Sequence, residues 1–558
     1  MNPSTAFATV LVDAFVRLGL RHLVLSPGSR SAPLAYAAAR AADSGRLRLH
    51  VRVDERSAGF LALGLARAGE LVAVVTTSGT AVANLHPAVL EAHHAGVPLV
   101  VLSADRPHEL RGSGASQTAE AQPRMFLPSV RFSADLPAPV DPRAQAPAWR
   151  SVVSRAVAAA RGLRGDGPGP VHLDVAFADP LTPSPDVLPE STTGLTEVAG
   201  LPAPQPVALP RGERTLVLAG DAPDPATGRA ARDLAEHAGW PLLAEPSSGA
   251  RGGERAVGAY RLLLDALDSQ GPLGAVERVV LFGHPTLSRP VTRLLARDDV
   301  DLVVVSATGA WPDAGFRAAR VLPAVTVDGP ASEAEHDFAA RWDRAAKLAA
   351  DAIDAVVDDE DALTGPWAGR EVVDACAADG SALVVAASNA VRDVDLAGRP
   401  LGVRTVSNRG LAGIDGTLAT AEGVALGLGP TRLLVGDLAF LHDVNALLPV
   451  PGEQRPDLTV VLVNDDGGGI FETLEHAAAV DRATFERVVA TPHGVDVAAL
   501  CAAYGVPHVR PATRAEAAAA IGARPAGLRV VELVVDRATV RPRLERITAA
   551  VRAAVLDA

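Results

Sequence analysis

The sequence predicts an α/β protein with three doubly wound parallel sheets. Short β-branched or Leu-rich runs alternate with longer helix-like segments along the chain, which is the pattern of parallel strands connected by helices. A length of 558 residues is too great for a single hydrophobic core. Prolines concentrate after the first block, where they disfavour helix and remove backbone donors. We therefore expect an N-terminal domain (1–181), an extended Pro-rich linker (182–214), a central domain (215–345), a helical, acidic connector (346–366) and a C-terminal domain (367–558).

The predicted strands follow from the apolar runs of each block. In the N-terminal domain they are His22–Ser26, Leu49–Val53, Leu71–Thr76 and Pro98–Ala104. In the central domain they are Thr215–Gly220, Pro241–Glu245, Arg278–Gly283 and Asp301–Ala307. In the C-terminal domain they are Ala382–Ala387, Arg404–Ser407, Arg432–Gly436, Leu458–Val463 and Arg529–Val535.

Composition and charge argue against several classes of function. The formal net charge of −13 disfavours a nucleic-acid partner, because phosphate binding relies on clustered positive charge. No secretory signal is visible, and the longest apolar runs, such as Val97–Leu102, are too short to span a bilayer. The two cysteines, Cys376 and Cys501, lack metal-type spacing, which fits a reducing compartment. We expect a soluble cytoplasmic protein without integral membrane association.

Two apolar strands of the C-terminal domain end in acidic, amide and glycine residues. Asp437 follows the run RLLVG, and Asn464-Asp465-Asp466 with three glycines follows LTVVLV. The carboxyl ends of parallel strands lie on one edge, where open α/β sheets bind ligands. Oxygen ligands at this edge suit Mg²⁺, which favours carboxylates and ligand phosphates, and the glycines let the backbone approach a phosphate closely. The sequence therefore predicts a metal and phosphate site here.

The pair of segments Gly436-Asp437-Leu438 and Asn464-Asp465 resembles the motif of the thiamine-diphosphate enzyme superfamily, which begins with Gly-Asp and closes with Asn-Asn. The resemblance implies that thiamine diphosphate and Mg²⁺ (or Mn²⁺) bind, with Asp437, Asp465 and the Gly467 carbonyl as metal ligands. The family usually has Asn where this chain has Asp465, so Asn464 is an alternative ligand. The resemblance also implies cofactor contacts by Gly436, Leu438 and Ile470, with Ile414 supporting the bent cofactor and Ser388 near the diphosphate.

Glu55 lies between a predicted strand and a predicted helix, in VRVDERSAGF. A glutamate at a helix start is in itself only a favourable partner of the helix dipole. The resemblance, however, implies that Glu55 binds the aminopyrimidine ring of the cofactor and activates it. The arrangement of this superfamily would place the two halves of the cofactor on domains of different subunits, which implies a homodimer or homotetramer with active sites at subunit interfaces.

Four further segments narrow the resemblance: LSPGSRSAPL, TTSGTAVANLHPAVLEAHHAGVPLVVLSADRP, GSGASQTAE and SNRGLAGIDGTLATAEG. They are similar to the menaquinone-pathway synthase family that forms 2-succinyl-5-enolpyruvyl-6-hydroxy-3-cyclohexene-1-carboxylate. That family decarboxylates 2-oxoglutarate and adds the succinyl carbanion to isochorismate. Both substrates are dicarboxylates, which guanidinium groups bind bidentately. The substrate-binding residues that the resemblance implies are Ser29, Arg30, Arg106, Gln117, Arg289, Arg392, Arg409, Phe471 and Leu474, with Arg289 standing where the family has lysine.

Two other functions are alternatives. An acetolactate synthase or another 2-oxoacid decarboxylase would use the same cofactor, but its monoacid substrates would not need five arginines. A non-catalytic nucleotide-binding regulatory protein would belong to a different class, yet no GxGxxG segment stands out between a strand and a helix. Whether the protein is a dimer or a tetramer, and whether the central domain binds an effector, remain open at this point.

Overall fold

The structure, a computed structural model, describes residues 2–165, 167–185, 188, 191–212, 214–265 and 273–556, apart from the side chain of His476. The chain divides into two compact units. The first unit consists of Met1–Pro202, Gly410–Leu428 and Asp443–Arg455. The second unit consists of Ala203–Arg409, Gly429–His442 and Pro456–Ala558.

The first unit is built on a six-stranded parallel sheet. Its strands are β1 (His22–Leu25), β2 (Arg48–Val51), β3 (Val72–Thr76), β4 (Leu99–Asp105), β5 (Phe132–Leu136) and β6 (Pro170–Ala176). Its helices, up to residue 202, are α1 (Pro3–Arg17), α2 (Ala32–Asp43), α3 (Glu55–Arg67), α4 (Thr80–Ala83), α5 (His86–Ala95) and α6 (Pro142–Ala160). The strand order is β2-β1-β3-β4-β6-β5. β1, β3 and β4 are buried along their whole length, as expected for parallel strands covered by helices on both faces.

The second unit contains a five-stranded parallel sheet of order β12-β11-β10-β8-β9. Its strands are β8 (Thr215–Ala219), β9 (Leu242–Ala244), β10 (Arg278–Phe282), β11 (Asp301–Val305) and β12 (Ala318–Leu322). A separate pair joins β7 (Val207–Leu209) to β13 (Val325–Val327). The helices of this region are α7 (Pro225–Ala238), α8 (Tyr260–Asp265), α9 (Arg289–Leu295) and α10 (Glu333–Asp358).

A second six-stranded parallel sheet lies in the same unit, with the order β15-β14-β16-β17-β19-β18. Its strands are β14 (Ala382–Val385), β15 (Thr405–Val406), β16 (Thr431–Gly436), β17 (Leu458–Asn464), β18 (His508–Val509) and β19 (Leu528–Val534). The remaining helices of the chain are α11 (Gly365–Asp379), α12 (Asn389–Ala397), α13 (Thr417–Leu428), α14 (Asp437–His442), α15 (Arg482–Phe485), α16 (Val497–Ala503), α17 (Arg514–Gly522) and α18 (Val540–Leu556). Of these helices, α13 belongs to the first unit.

The predicted fold class is confirmed: three parallel sheets alternate with helices, and every predicted strand has a counterpart. The structure adds β5, β6, β7, β12, β13 and β18, which the apolar runs did not indicate. The segment predicted as an extended linker is free of helix in its described part, but β7 forms within it. α10 runs through residue 345, where a domain boundary was expected. The domain bounds themselves stay predictions.

Among the described residues, no helix is both long enough and apolar enough to traverse a lipid bilayer.

Candidate active site

Glu55 is the first residue of α3 and lies at the carboxyl edge of the first sheet. The preceding residue, Asp54, caps the helix, because its Oδ1 accepts the amides of Arg56 at 2.9 Å and Ser57 at 3.3 Å. The Glu55 carboxylate is half-buried, and Asn84 Nδ2 lies 3.4 Å from its Oε2. The carboxylate lies in the first turn of α3, beside the positive end of the helix dipole. This geometry suits a carboxylate that makes one directed hydrogen bond to a ligand.

Arg106 joins two loops at the same edge. Its Nη1 donates to Ser78 Oγ at 2.7 Å and to the Gln117 carbonyl at 2.6 Å. Gln117 Nε2 donates back to the Ser78 carbonyl at 3.1 Å, and Gln117 has a φ of 59°. A glutamine in the left-handed region is uncommon and is here over-determined by these bonds. The structure thus brings two of the predicted substrate-binding residues, Arg106 and Gln117, into contact.

The other two predicted residues of this region, Ser29 and Arg30, follow β1. Ser29 is exposed, and Arg30 Nη1 donates to the Phe177 carbonyl at 2.8 Å. The nearest carboxylate oxygen of Asp179 is 3.9 Å from Arg30, at the limit of an ion pair. Burial lowers the pKa of Arg30, and the positive charge of Arg106 acts in the same direction. Arg30 is therefore half-buried, and the one carboxylate within ion-pair range among the described residues, that of Asp179, lies at the limit of that range.

A buried network that the sequence did not reveal supports these loops. Arg111 pairs within 3.0 Å with three aspartates, namely Asp105, Asp135 and Asp174. The fully buried Gln122 donates from Nε2 to Asp174 at 2.8 Å and accepts the Gly79 amide on Oε1 at 2.9 Å. Burial and the nearby Asp105 raise the pKa of Asp174 to about 7. The network fixes the turn beside Ser78.

Asp437 is the first residue of α14 and directly follows β16. It is 2% exposed, and its carboxylate accepts the amides of Leu438 at 2.6 Å and Gly467 at 2.9 Å. His493 Nε2 lies 3.3 Å from Oδ2. Burial raises the pKa of Asp437 despite these bonds. A buried carboxylate of this kind is stabilised by a nearby cation.

Asp465 and Asn464, the two alternative metal ligands, have different surroundings. Burial and the charge of Asp437 raise the pKa of Asp465 to about 7. Asn464 Nδ2 instead donates to the buried Glu532 at 2.7 Å, and its Oδ1 accepts the Asp466 amide at 3.1 Å. Both polar atoms of the Asn464 amide are therefore used within the protein, which favours Asp465 as the ligand.

The donor set fits a hard divalent cation. The carboxylates of the buried Asp437 and the half-buried Asp465 repel each other. Gly467 has a φ of 139°, and a Cβ there would lie 2.4 Å from the Ala490 carbonyl oxygen, so only glycine fits at this turn. No group of three or more His, Cys, Asp or Glu side chains gathers as a metal site within the described part of the chain. A metal held by few side chains and by ligand phosphates corresponds to Mg²⁺.

The segment after the glycines carries three predicted ligand-contact residues, Ile470, Phe471 and Leu474, all half-buried. Its backbone is held from the C-terminal end of the chain. Arg541 donates from Nε to the Glu472 carbonyl at 2.7 Å and from Nη2 to the Leu474 carbonyl at 2.8 Å. Arg537 Nη1 donates to the Asp466 carbonyl at 3.0 Å. Nothing in the sequence linked these two arginines, or His493, to the motif.

Ser388, Arg392 and Arg409 lie beyond the ends of β14 and β15. Ser388 has a φ of 69° and a ψ of −131°, a strained conformation for serine, and precedes α12. Its carbonyl accepts Arg392 Nη1 at 2.7 Å. Burial, and then the positive charge of Arg409, lowers the pKa of Arg392. The buried Arg409 donates from Nε to Thr286 Oγ1 at 2.9 Å and from Nη2 to the Thr286 carbonyl at 3.1 Å.

The other predicted site residues are less enclosed. Arg289 begins α9 with a side chain that is 73% exposed, and it pairs with Glu475 at 2.6 Å. Ile414 is 38% exposed and belongs to the first unit. Gly436 ends β16, and Leu438 lies in the first turn of α14, so both flank Asp437.

Two family models match the chain. Residues 5–125 match the thiamine pyrophosphate enzyme N-terminal TPP binding domain, and residues 398–533 match the corresponding C-terminal TPP binding domain. These ranges include Glu55 and Asp437 respectively.

Several curated proteins are similar to the chain over its whole length, and three of them share one name, 2-succinyl-5-enolpyruvyl-6-hydroxy-3-cyclohexene-1-carboxylate synthase. The protein of Kineococcus radiotolerans is 85% identical over 555 residues, which cover 100% of both chains. That of a Nocardioides species is 48% identical and covers 98% of each chain. That of Paenarthrobacter aurescens is 47% identical and covers 99% of this chain and 97% of its own.

Proposed function

The chain belongs to the 2-succinyl-5-enolpyruvyl-6-hydroxy-3-cyclohexene-1-carboxylate synthase family of thiamine-diphosphate enzymes, and on this premise we propose the reaction that it catalyses. The enzyme decarboxylates 2-oxoglutarate and transfers the remaining succinyl unit to isochorismate, with release of CO₂. Thiamine diphosphate, when bound, supplies the electron sink for the decarboxylation. The protein contributes binding, orientation and exclusion of water.

One observation carries the choice of dicarboxylate substrates. Arg392 is half-buried and Arg409 is buried. Within the described residues, every hydrogen bond that their guanidinium groups donate goes to a neutral oxygen. The half-buried side chain of Arg106 likewise donates only to neutral oxygens among the described residues. Arg111, by contrast, is neutralised by three aspartates. Half-buried or buried guanidinium groups to which no carboxylate is hydrogen-bonded favour anionic ligands, and two carboxylates on each substrate would supply them.

We assign Asp437, Asp465 and the Gly467 carbonyl to Mg²⁺, with Mn²⁺ as a possible replacement. Two observations support this set of ligands. The carboxylates of Asp437 and Asp465 repel each other, and the side-chain amide of Asn464 is already bonded to Glu532. Gly436, Leu438, Ile470, Ser388 and Ile414 would contact the cofactor. When held by these residues, the ion would reduce the effective charge of the diphosphate.

Glu55 would bind the aminopyrimidine ring and exchange a proton with it, as its position at the start of α3 allows. Ser29, Arg30, Arg106 and Gln117 would bind substrate at the edge of the first sheet. The side chains of Phe471 and Leu474 would keep water from the reacting carbon. Arg289 would need to leave Glu475 before it could bind a carboxylate.

The active form would be a homodimer or homotetramer in which each active site takes Glu55 from one subunit and Asp437 from another. This arrangement is proposed from the family.

The reaction is tested by incubating the purified protein with thiamine diphosphate, Mg²⁺, 2-oxoglutarate and isochorismate. We expect CO₂ and an adduct of the predicted mass, and much slower reaction with pyruvate. Arg392→Leu and Arg409→Leu should each lose about 10- to 100-fold in kcat/KM, since a charge-assisted hydrogen bond contributes about 1.5–3 kcal/mol. Arg293→Leu, a change of an exposed arginine paired with Asp265, is the control. Equal use of pyruvate, with both variants like wild type, would point instead to a generic 2-oxoacid decarboxylase.

A further inference from the structure

A chain of hydrogen bonds in the second unit connects Arg409 to Glu245, which follows β9. This strand belongs to the five-stranded sheet of order β12-β11-β10-β8-β9, which we call the central sheet. Thr286 lies between Arg409 and Glu245 and receives both bonds that Arg409 makes, at 2.9 Å and 3.1 Å. Its amide and hydroxyl donate in turn to Glu245, at 2.9 Å to Oε1 and 3.3 Å to Oε2. Thr286 is the sole hydrogen-bond partner of the Arg409 side chain among the residues that the structure describes.

The loop that carries Thr286 has little freedom to move. Gly283 has a φ of 64°, and Asp221 and His284 exchange two backbone hydrogen bonds of 2.9 Å that lay the loop across the end of β8. A Cβ on Gly220 would lie 2.1 Å from the Pro285 nitrogen, which shows how closely the backbones approach. The loop is therefore fixed to the central sheet on this side.

Glu245 fixes the loop on the other side. It is 2% exposed, and its Oε1 accepts the amides of both Thr286 and Leu287 at 2.9 Å. Its own amide donates to the Ala219 carbonyl at 2.9 Å, so its backbone continues the sheet. Burial raises the pKa of Glu245 to about 8, and Oε1 can accept both amides whether or not the other oxygen is protonated. The anchor is thus independent of the charge state of Glu245.

The geometry leaves Arg409 well suited to bind a ligand in one direction. A guanidinium has five N–H groups in a rigid planar fork. Nε and Nη2 each use one in the bonds to Thr286, which leaves three N–H groups, two of them on Nη1. Because both bonds go to one residue, they fix the plane of the fork as well as its position.

We propose that Thr286 and Glu245 are positioning residues for Arg409, so that the central sheet sets the direction in which Arg409 presents its free N–H groups to a substrate carboxylate. The inference rests on the proposed function, because it takes Arg409 as a substrate ligand. The central sheet, although its residues lie far along the sequence from the cofactor motif, would then contribute to substrate affinity.

The test uses Thr286→Val in the full-length enzyme with thiamine diphosphate and Mg²⁺. Valine keeps the shape and the backbone carbonyl but removes the hydroxyl that accepts from Arg409 Nε and donates to Glu245. We expect KM to rise about 10-fold for at least one of the two dicarboxylates, with a smaller effect on kcat, because the fork is no longer held in its plane. Thr286→Ser, which keeps the hydroxyl, should restore the low KM.

Thr292→Val is the matched control, because Thr292 is an exposed residue of α9 whose hydroxyl donates to the Ser288 carbonyl at 3.3 Å. Cofactor affinity and Tm of Thr286→Val should match those of this control, whereas a merely structural role would lower Tm. As a second pair, Glu245→Gln should keep the KM low and Glu245→Ala should raise it. If wild type forms product and Thr286→Val has unchanged KM values for both substrates, the positioning role is refuted and the proposed function stands. If wild type forms no product, both are refuted.

Discussion

The two carboxylates that the proposal needs most, Glu55 and Asp437, are placed by different means. Glu55 is half-buried and has one long contact, 3.4 Å from Asn84. Asp437 is almost fully buried, and its oxygens already accept two backbone amides. A carboxylate with few hydrogen bonds can exchange a proton with a ligand during a reaction. A buried carboxylate whose oxygens are fixed by hydrogen bonds is better suited to bind a cation.

Glu55→Gln tests the first of these roles. The amide can keep a hydrogen bond to the cofactor but cannot exchange a proton with its ring, so cofactor affinity should change little and turnover should fall about 10²- to 10⁴-fold. The measurement is hydrogen exchange at C2 of the bound thiamine diphosphate by NMR, beside steady-state turnover. Glu109→Gln, an exposed glutamate of the same unit, is the control. Exchange at the wild-type rate in Glu55→Gln would show that another group activates the cofactor.

Among single residues, the sequence indicated site residues that directly follow predicted strands. It did not indicate residues whose hydrogen-bond partners lie far away along the chain. Asp437 and Asp465 could be predicted because each closes an apolar run within a few residues, whereas Glu55 follows the partly polar strand β2 and was indicated by the resemblance. Gln122 and Arg541 could not, since their partners, Gly79 and Glu472, lie dozens of residues away and no local pattern marks a hydrogen bond of that separation. For Arg289 the resemblance suggests a role in substrate binding. The sequence could not predict that the Arg289 side chain is exposed and paired with Glu475, because both depend on tertiary packing.

Strands were predicted from β-branched or Leu-rich runs, and β6 was missed because polar residues interrupt its apolar ones. β6, with the sequence PVHLDVA, is buried throughout, yet it contains His172 and Asp174. Ser103 explains how this is tolerated, because its hydroxyl lies 2.6 Å from His172 Nε2 and donates to Asp174 at 2.7 Å. Partners supplied by β4 cannot be read from β6 alone. β12 and β18 were missed for another reason, since both are partly exposed strands at sheet edges.

A pair of buried histidines links β1 to β2 and predicts how the stability of the first unit depends on pH. His22 Nδ1 lies 3.0 Å from His50 Nε2, and the two rings are stacked with an interplanar angle of 2°. Burial, and then the charges of His22 and nearby arginines, lowers the pKa of His50 to about 3, and burial also lowers that of His22. The His50 ring is therefore neutral in the folded protein near pH 6.

The sign of the effect follows from proton binding. An unfolded histidine has a pKa near 6.5. Below pH 6.5 the unfolded chain therefore binds a proton at this position, whereas His50 in the folded protein does not. His50 thus costs stability as pH falls from about 6.5 toward 3, at about 1.4 kcal/mol per pH unit. Urea unfolding of wild type and His50→Gln at pH 7, 6 and 5 should show the free-energy difference between them shifting in favour of the variant as pH falls. A difference independent of pH would mean that His50 titrates normally in the folded protein.

The three larger sheets of the described residues repeat one topology. In each, the first strand lies between the second and the third, giving the order 2-1-3-4 before the sheets diverge. In such sheets the chain changes direction beside the first strand, and the loops at the carboxyl edge open to form a ligand crevice. The Glu55 region, the Thr286 loop and the Asp437 region all lie at carboxyl ends of their sheets. The sequence could predict these edges because it predicts parallel strands, but it could not predict which loop would contact which.

The proposed assembly can be tested with two inactive variants. Glu55→Gln removes the carboxylate that we propose activates the cofactor and leaves the proposed metal ligands intact, whereas Asp437→Ala removes a proposed metal ligand and leaves Glu55 intact. If each active site combines Glu55 of one subunit with Asp437 of another, a mixed dimer contains one site with both changes and one site with neither. Symmetric dimers of either variant contain only defective sites.

Mixing the two variants in equal amounts, under conditions in which subunits exchange, should therefore restore activity. Random exchange makes half of the dimers mixed, and each of these has one intact site of two, so about a quarter of wild-type activity should return. Asp437→Ala alone should lose thiamine diphosphate at concentrations that saturate wild type, which calorimetric titration with excess Mg²⁺ would show. Mass spectrometry of the intact assembly verifies that subunits have exchanged. Exchange without recovery of activity would place both carboxylates of each site on the same subunit and would overturn the interface arrangement, while the assignment of the reaction would be unaffected.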